Sequence, residues 1–156
     1  MEEVLRMVDP MKLIDAAGCA APGGHYSHAV DVDGFVFVSG QLPVTVEGHT
    51  LKDASFEAQV EQVLKNCAMV LSVAGCALTD VVKTTAYVVG VENWPTFNQI
   101  YARAMGAHKP ARSVVPVPAL HHGYLIEVEM VARKVHENQV TAFERMADNA
   151  RELGSD

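Results

Sequence analysis

Residues 108–130, HKPARSVVPVPALHHGYLIEVEM, decide the fold and also contain the most unusual charges of the chain. Two apolar segments rich in valine, leucine and isoleucine flank the short sequence HHG, a pattern typical of two strands joined by a turn. Arg112 stands where the first segment begins, and Glu127 and Glu129 lie inside the second. Charged groups in segments otherwise suited to burial require a partner or a function.

The second segment, residues 124–133, predicts a strand whose two faces differ in character. Glu127 and Glu129 share one face, about 6–7 Å apart along the strand. If that face is covered, desolvation and mutual repulsion should raise the pKa of at least one carboxyl group. An exposed polar face is the simpler alternative, and the pattern alone leaves both open. The opposite face is uniformly apolar and suited to packing on helices: Tyr124, Ile126, Val128, Met130 and Ala132.

Arg112 follows Pro110-Ala111 at the beginning of the first of these strands. Its planar guanidinium group offers a fork for a carboxylate or a phosphate. A structural salt bridge to Glu127 or Glu129 across neighbouring strands is the alternative, and the two interpretations are equally compatible with the sequence.

Upstream, residues 27–40 predict a hairpin, since two strand-like runs flank Asp33-Gly34, a dipeptide suited to a tight turn. Residues 53–75 carry an apolar stripe at helical spacing, with Asp53 as a candidate cap and Gly75 as a stop. Residues 80–90 are rich in β-branched side chains and predict a strand.

Residues 93–106 predict a second helix, with Asn93 as its cap, Pro95 in its first turn and Gly106 at its end. The resulting order is β-β-α-β-α-β-β, an α+β fold with one sheet and both helices on one face. The other face, which carries Leu125 and Val131, also needs cover, and self-association is the simplest solution. We expect one domain over residues 1–135, followed by an amphipathic helical tail over residues 136–156.

Composition limits the possible functions of the chain. It has 156 residues, of which 49% are hydrophobic and 20% charged, and its formal net charge is −7. This charge argues against a nucleic-acid surface, which needs a basic stripe. No apolar run is long enough to predict a membrane span. Three cysteines without a CxxC pair and an acidic N-terminus without a signal-peptide pattern predict buried, reduced thiols in a cytoplasmic protein: Cys19, Cys67 and Cys76.

Several motifs, in order and spacing, resemble the RidA (YjgF-like) family of imine deaminases. PARS at 110–113 followed by IEVE at 126–129 resembles that family's signature. FVFVSGQLPV at 35–44 is similar to its second strand and SGQ turn, and FNQIYARAM at 97–105 to its second helix. VLKNCAMVLSVAGCALTDVVKTTAYV at 63–88 resembles its long helix and the strand that follows. The resemblance extends over residues 22–134.

This resemblance implies a chorismate-mutase-like fold assembled as a homotrimer, with sites in the clefts between subunits. The implied activity is hydrolysis of 2-imino acids, tautomers of enamines such as 2-aminoacrylate, to 2-oxo acids and ammonia. It implies no metal and no organic cofactor.

The family's site residues carry over onto matching positions of this chain. Arg112 would bind the substrate carboxylate, and Glu127 would position and deprotonate the attacking water. Tyr26 would hydrogen-bond the substrate or the water. The remaining contacts would come from the Ser39 side chain, the Gly40 carbonyl, Asn98 and the Val114 backbone N–H. Asn98 is equally compatible with an exposed helix position.

The sequence departs from the family pattern at several places, among them Pro118, where relatives usually carry a small or basic residue, and a longer tail after residue 135. Val114 stands where many relatives have cysteine, and LHHGY at 120–124 replaces the more usual Leu-Pro turn. The pairs His25/His28 and His121/His122 lack the spacing of a metal site, although His25 or His28 could tune the pocket near Tyr26.

Other functions remain compatible with the sequence. One is a non-catalytic trimer that binds small acids or another protein, and another is a deaminase dedicated to one catabolic enamine. Chorismate rearrangement would need more cationic groups.

Overall fold

The structure is a computed structural model that describes residues 11–134. Its helices are α1 (Phe56–Val73) and α2 (Trp94–Met105). Its strands are β1 (Lys12–Ile14), β2 (Ala29–Val32), β3 (Phe35–Gln41), β4 (Val81–Val89), β5 (Ala111–Val117) and β6 (Ile126–Arg133). Within residues 11–134 these strands form one sheet in the order β1-β2-β3-β6-β4-β5. Strands β4 and β5 run parallel, and the other neighbouring strands run antiparallel.

The predicted order of strands and helices is confirmed, with one addition at the edge of the sheet. The three residues of β1 pair with β2, where Leu13 lies opposite Val30. This strand was not predicted, because three residues carry too little alternation to indicate a strand. The predicted C-terminal helix over residues 136–156 lies outside the described residues.

Helix α1 begins later than its sequence indicated. Ser55, not Asp53, is the N-cap, and its Oγ accepts a hydrogen bond from the Ala58 amide at 3.2 Å. Both residues have cap-forming side chains, but only Ser55 lies directly before the first helical turn. The helix ends as predicted, since Gly75 follows the last turn with a φ of +80°.

The predicted turn and the limits of α2 are confirmed. Asp33 and Gly34 have φ values of 49° and 79°, the left-handed pair that a tight two-residue hairpin requires. Asn93 precedes α2, although its side chain donates to the Val89 carbonyl at 2.9 Å and caps no helical amide. Pro95 lies in the first turn of α2, and Gly106 ends the helix with a φ of 59°.

Both helices pack on one side of the sheet, hereafter the helix face. The apolar side of β6 is buried there together with the stripe of α1 and with Phe97 and Ile100 of α2. Gln59 is also fully buried, and its side-chain amide joins α1 to the Lys52 and Ala54 carbonyls. Its Oε1 accepts the Leu125 amide at the entrance to β6. The three cysteines are buried and free, as predicted.

The opposite side of the sheet, hereafter the open face, has no helix over it in the described part of the chain. Phe37 remains 46% exposed and Phe35 39% exposed, although both belong to a central hairpin. Val131 lies beside Phe37 on this face. Between residues 11 and 134, no helix has the length and hydropathy needed to cross a bilayer.

Candidate functional site

Glu127 lies on the open face, in a cleft formed by three strands and a turn. Tyr87 of β4 is its cross-strand neighbour, and Glu129 follows it on the same face of β6. Gly40 of β3 and His121, from the turn before β6, also line this cleft, hereafter the Glu127 cleft. The alternation predicted from residues 124–133 therefore places both carboxylates in one concave site.

A bulge in β3 makes room for the Glu127 side chain. The pairing of β3 with β6 shifts register between Val38 and Gln41, so that Ser39 and Gly40 leave the regular ladder. A Cβ atom added to Gly40 would collide with the Glu127 carboxylate. Glycine at position 40 thus leaves space for the close approach of a carboxylate to backbone, and its φ is not left-handed.

The environment of Glu127 raises the pKa of its carboxyl group relative to an ordinary glutamate. Desolvation is the main reason that the pKa of Glu127 lies above its usual value, and the charge of Glu129 raises it further. The charge of His121 acts in the opposite direction. Burial and the two carboxylates also raise the pKa of Tyr87. The sequence predicted a raised carboxyl pKa if this face were covered, and partial burial within a single chain already raises that of Glu127. Such a shift brings a carboxylate closer to the range suited to a general base.

Tyr26 and Ser39 lie next to this cleft rather than inside it. Tyr26 lines a neighbouring cleft, hereafter the Tyr26 cleft, and Gly40 lies between the two because it lines both. The Tyr26 hydroxyl accepts the Gly23 amide at 3.3 Å. The Ser39 hydroxyl donates to the Ser27 carbonyl at 2.7 Å, a bond that holds the bulge to the preceding loop.

His28 has a structural role in the described chain. Its Nδ1 lies 3.1 Å from the Ala16 amide nitrogen and 3.2 Å from Asp15 Oδ1, and its Nε2 lies 2.9 Å from the Ala20 carbonyl oxygen. The Ala16 amide can only donate, so in the neutral ring Nδ1 accepts and Nε2 donates to the Ala20 carbonyl. Both ring nitrogens are therefore used to hold the segment between β1 and β2. His28 lines the Tyr26 cleft, whereas His25 is exposed.

Arg112 lies near the beginning of β5, the edge strand of the sheet, and its partners come from α2. Its Nη2 donates to Asn98 Oδ1 at 2.9 Å. Its Cζ lies 4.8 Å from the centre of the Tyr101 ring, which in turn donates its hydroxyl hydrogen to Thr84 Oγ1. Stacking and hydrogen bonding together orient the guanidinium group, and within residues 11–134 its other donors have no hydrogen-bond partner. Asn98 thus lies at Arg112 rather than at an unrelated part of the helix.

Within one chain, Arg112 and Glu127 lie on opposite faces of the sheet. Arg112 shares a face with Thr84 and Met130, which belong to the helix face, whereas Glu127 shares a face with Tyr87. Among the ion pairs of residues 11–134, none joins Arg112 to a carboxylate. The alternative of a salt bridge to Glu127 or Glu129 inside the chain is therefore wrong.

The other predicted positions have simpler surroundings. Val114 packs partly buried against the core from β5. His121 and His122 belong to a short 3-10 turn, His121–Gly123. In the part of the chain that the structure describes, no three His, Cys, Asp or Glu side chains are grouped closely enough to hold a metal ion.

Three residues of these sites were not identified from the sequence. Tyr87 and His121 complete the Glu127 cleft, and Tyr101 supports Arg112. Tyr87 lies in a strand with ordinary alternation, so the sequence contained no sign of a functional role. Only the register between β4 and β6 places it beside Glu127. The spacing of Asn98 and Tyr101, three residues apart on one helix, was the available signal for a common face.

Known proteins with this architecture support the family resemblance. Residues 18–134 match the family described as Endoribonuclease L-PSP. The human 2-iminobutanoate/2-iminopropanoate deaminase is 39% identical over 114 residues, which are 72% of this chain and 83% of the human protein.

Two solved bacterial structures have the same fold. The E. coli YjgF gene product has a TM-score of 0.74 and 33% identity, with 80% of this chain and 99% of that one covered. E. coli TdcF, crystallised with bound serine, has a TM-score of 0.75 and 28% identity at the same coverage. The match over residues 18–134 and the agreement of fold and motifs lead to one conclusion: the chain belongs to the endoribonuclease L-PSP family, that of the RidA (YjgF-like) proteins.

Proposed function

We propose that this protein hydrolyses 2-imino acids to 2-oxo acids and ammonia, without a cofactor. One observation supports the proposal most directly. Glu127 is a partly desolvated carboxylate with a raised pKa, and it lies in a concave cleft against the Gly40 backbone. Such a group is a stronger base than an ordinary surface carboxylate, which suits it to general-base catalysis.

The reaction needs this base and a group that binds the substrate carboxylate. The Glu127 carboxylate accepts a proton from water as the water oxygen bonds to the iminium carbon, and the C=N π electrons move to nitrogen. The proton then passes from Glu127 to the amino group of the tetrahedral adduct. The C–N bond then breaks as the Glu127 carboxylate accepts the hydroxyl proton, which it passes to the departing ammonia, and the 2-oxo acid remains. Positioning and one proton-transfer group supply the barrier lowering.

Arg112 is suited to hold the substrate carboxylate. Asn98 and the Tyr101 ring fix its orientation before any ligand arrives, which reduces the entropy lost on binding. A planar fork can pair with both oxygens of a carboxylate. Tyr26, Ser39, Gly40 and the Val114 amide would complete the contacts to substrate and water.

The separation of Arg112 from Glu127 favours a shared site between chains. A 2-imino acid has its carboxylate on the atom next to the reacting carbon, so both groups must lie within a few ångströms of the same small molecule. Within one chain the sheet separates them. An assembly in which the Arg112 edge of one chain covers the open face of the next would unite them, and would bury Phe35 and Phe37. A head-to-tail contact of this kind forms a ring when the rotation between neighbouring chains closes. We propose that it closes as a homotrimer, the assembly that the family resemblance implies.

Two relatives support this choice of chemistry. The human relative is named for the deamination of 2-iminobutanoate and 2-iminopropanoate. TdcF binds serine, an amino acid with the same carboxylate next to a nitrogen-bearing carbon. The family description names a ribonuclease, but a net charge of −7 and a cleft with two carboxylates are poorly suited to a phosphodiester backbone.

The test is ammonia release from imines generated by an amino-acid oxidase, compared with their spontaneous hydrolysis. We expect the protein to release ammonia from several small 2-imino acids faster than their spontaneous hydrolysis does. Binding of 2-oxo acids without acceleration would instead identify a non-catalytic binding protein. Light scattering on the same preparation should give three times the chain mass of 16.8 kDa. A stable, active monomer would contradict the shared site.

A further inference from the structure

The turn HHG before β6 places its two adjacent histidines in different clefts. His121 lines the Glu127 cleft, and His122 lines the Tyr26 cleft. His122 has a φ of 59°, a left-handed conformation that is uncommon outside glycine. Its ring lies edge-on to Tyr124, 6.1 Å between centres, and Tyr124 is buried. These contacts anchor the turn at His122 and leave the ring of His121 on the side of Glu127.

The charges around His121 are mostly negative. Glu127 and Glu129 face the cleft from β6, Tyr87 faces it from β4, and the other lining residues are uncharged. Lys83 of β4 lies near Glu129 in the adjacent depression, but its ammonium group donates to Ser113 Oγ at 2.8 Å. Among the described residues of one chain that line the Glu127 cleft, His121 is therefore the one that can carry a positive charge. In the proposed assembly Arg112 of the neighbouring chain would add a second positive charge, which is the same in every histidine variant compared below.

We propose that His121 is a positioning residue for Glu127, whose protonated ring keeps the carboxylate ionised and therefore able to accept a proton from water. This inference rests on the proposed function for its kinetic consequence only. Desolvation and Glu129 both raise the pKa of Glu127, and His121 opposes them. Without an opposing charge, the same burial that makes Glu127 a stronger base would leave it protonated over more of the working pH range.

The test compares the same substitution at the two adjacent histidines. Asparagine tolerates the left-handed conformation, so His121→Asn and His122→Asn are a matched pair. The titration of the Glu127 side-chain carboxyl is followed by ¹³C NMR, with Glu127→Gln used to assign its signal. We expect His121→Asn to move the titration midpoint of Glu127 upward, because a positive charge is removed. The shift should be only about half a pH unit, because solvent screens the exposed His121 ring. His122→Asn should leave it in place.

A cationic replacement separates charge from a structural effect. His121→Lys should return the midpoint toward that of the natural protein, since a lysine ammonium group is charged throughout this pH range. An unchanged midpoint in His121→Asn, or an equal shift in His122→Asn, would overturn the inference.

The kinetic measurement distinguishes this inference from the proposed function. The acid limb of the pH profile of kcat/KM for imine hydrolysis should shift with the NMR midpoint in His121→Asn and return in His121→Lys. If the natural protein does not accelerate hydrolysis, the proposed function fails, and the NMR titration still decides the role of His121. If hydrolysis depends on Glu127 but its acid limb is the same in His121→Asn, the positioning role fails alone.

Discussion

On β6, the side chains that face the helices are almost completely buried, whereas their neighbours on the open face are only partly covered. Ile126 and Val128 have no exposed surface, while Glu127 between them is partly exposed. The helix face is a packed core with its few polar groups hydrogen-bonded, as Gln59 and Thr84 are. The open face combines exposed phenylalanines with two adjacent carboxylates.

Along β6, the residues on the helix face therefore contribute to stability, and those on the open face contribute to the chemistry of the site. Burial of Ile126 stabilises the fold whatever the protein does, because apolar surface leaves water. Partial desolvation of Glu127 costs free energy in its charged form, and that cost has a use when a base is needed. The comparison predicts that alternate residues of β6 will give different kinds of defect.

The largest effect on stability is expected on the helix face. Ile126→Ala removes a fully buried side chain and should lower the free energy of unfolding by about 2–5 kcal/mol, because the packed core cannot fill the cavity. Chemical denaturation at fixed protein concentration measures the loss. A loss below about 1 kcal/mol would mean that the two faces of β6 do not differ as described.

The largest effect on activity is expected at the next residue. Glu127→Gln keeps the size of the side chain but removes the base, so imine hydrolysis should fall by roughly 10²-fold or more. Glu129→Gln is the matched control and should lower the rate of imine hydrolysis much less. Both variants should keep the same assembly and bind 2-oxo acids. If Glu127→Gln accelerates hydrolysis as the natural protein does, Glu127 is not the base, and binding by Arg112 becomes the main contribution.

A smaller effect is expected at Arg112. Arg112→Lys keeps the charge but loses the planar fork, one hydrogen bond to a charged group and the stacking on Tyr101, so kcat/KM should fall by about 10- to 100-fold. The loss should appear mainly as a higher KM, because Arg112 binds the substrate carboxylate. Near-natural efficiency of this variant would contradict bidentate binding. If Arg112→Ala lowers the melting temperature sharply, the main role of Arg112 is its structural contact with α2.

Gly40 tests whether the bulge positions Glu127. Gly40→Ala places a Cβ against the Glu127 carboxylate, which can move because it ends a flexible side chain. We expect roughly tenfold lower activity from the misplaced base, with the melting temperature little changed. Gly23→Ala is the control, since a Cβ there meets nothing within 4 Å and its φ is not left-handed. Equal activities of the two variants would show that Glu127 needs no such space.

The sequence predicted those features that depend on local chemistry. The Asp33-Gly34 dipeptide determined its turn because both residues tolerate a positive φ. Alternation assigned Glu127 and Ile126 to opposite faces. The first turn of α1 was predicted too early in the chain, because the side chains of Asp53 and Ser55 can both cap a helix and local sequence does not choose between them.

The arrangement of the candidate site could not be predicted in the same way. Arg112 lies on the helix face because β5 pairs with β4 in one particular register, a contact between distant segments. A shift of one residue would have placed Arg112 on the open face. For the same reason, Tyr87 and His121 became partners of Glu127 only when three strands and a turn were assembled.

The smallest expected effect is the contribution of Glu127 to the pH dependence of stability. Burial raises its pKa in the folded chain above the usual value of 4.5, so folding favours the protonated form. The contribution of Glu127 to stability is therefore fully present below pH 4.5 and is lost as the pH rises through the raised folded-state value. Glutamine cannot titrate, so the Glu127→Gln variant should lack this decline.

Denaturation curves measured for both proteins between pH 4 and 8 should consequently diverge, with the natural protein losing stability relative to Glu127→Gln as the pH rises. Glu129→Gln is again the control for the removal of one carboxylate. Parallel curves for the natural protein and Glu127→Gln would mean that Glu127 is solvated like an ordinary surface carboxylate. The open face would then differ from the helix face in exposure alone, and not in the basicity of its carboxylate.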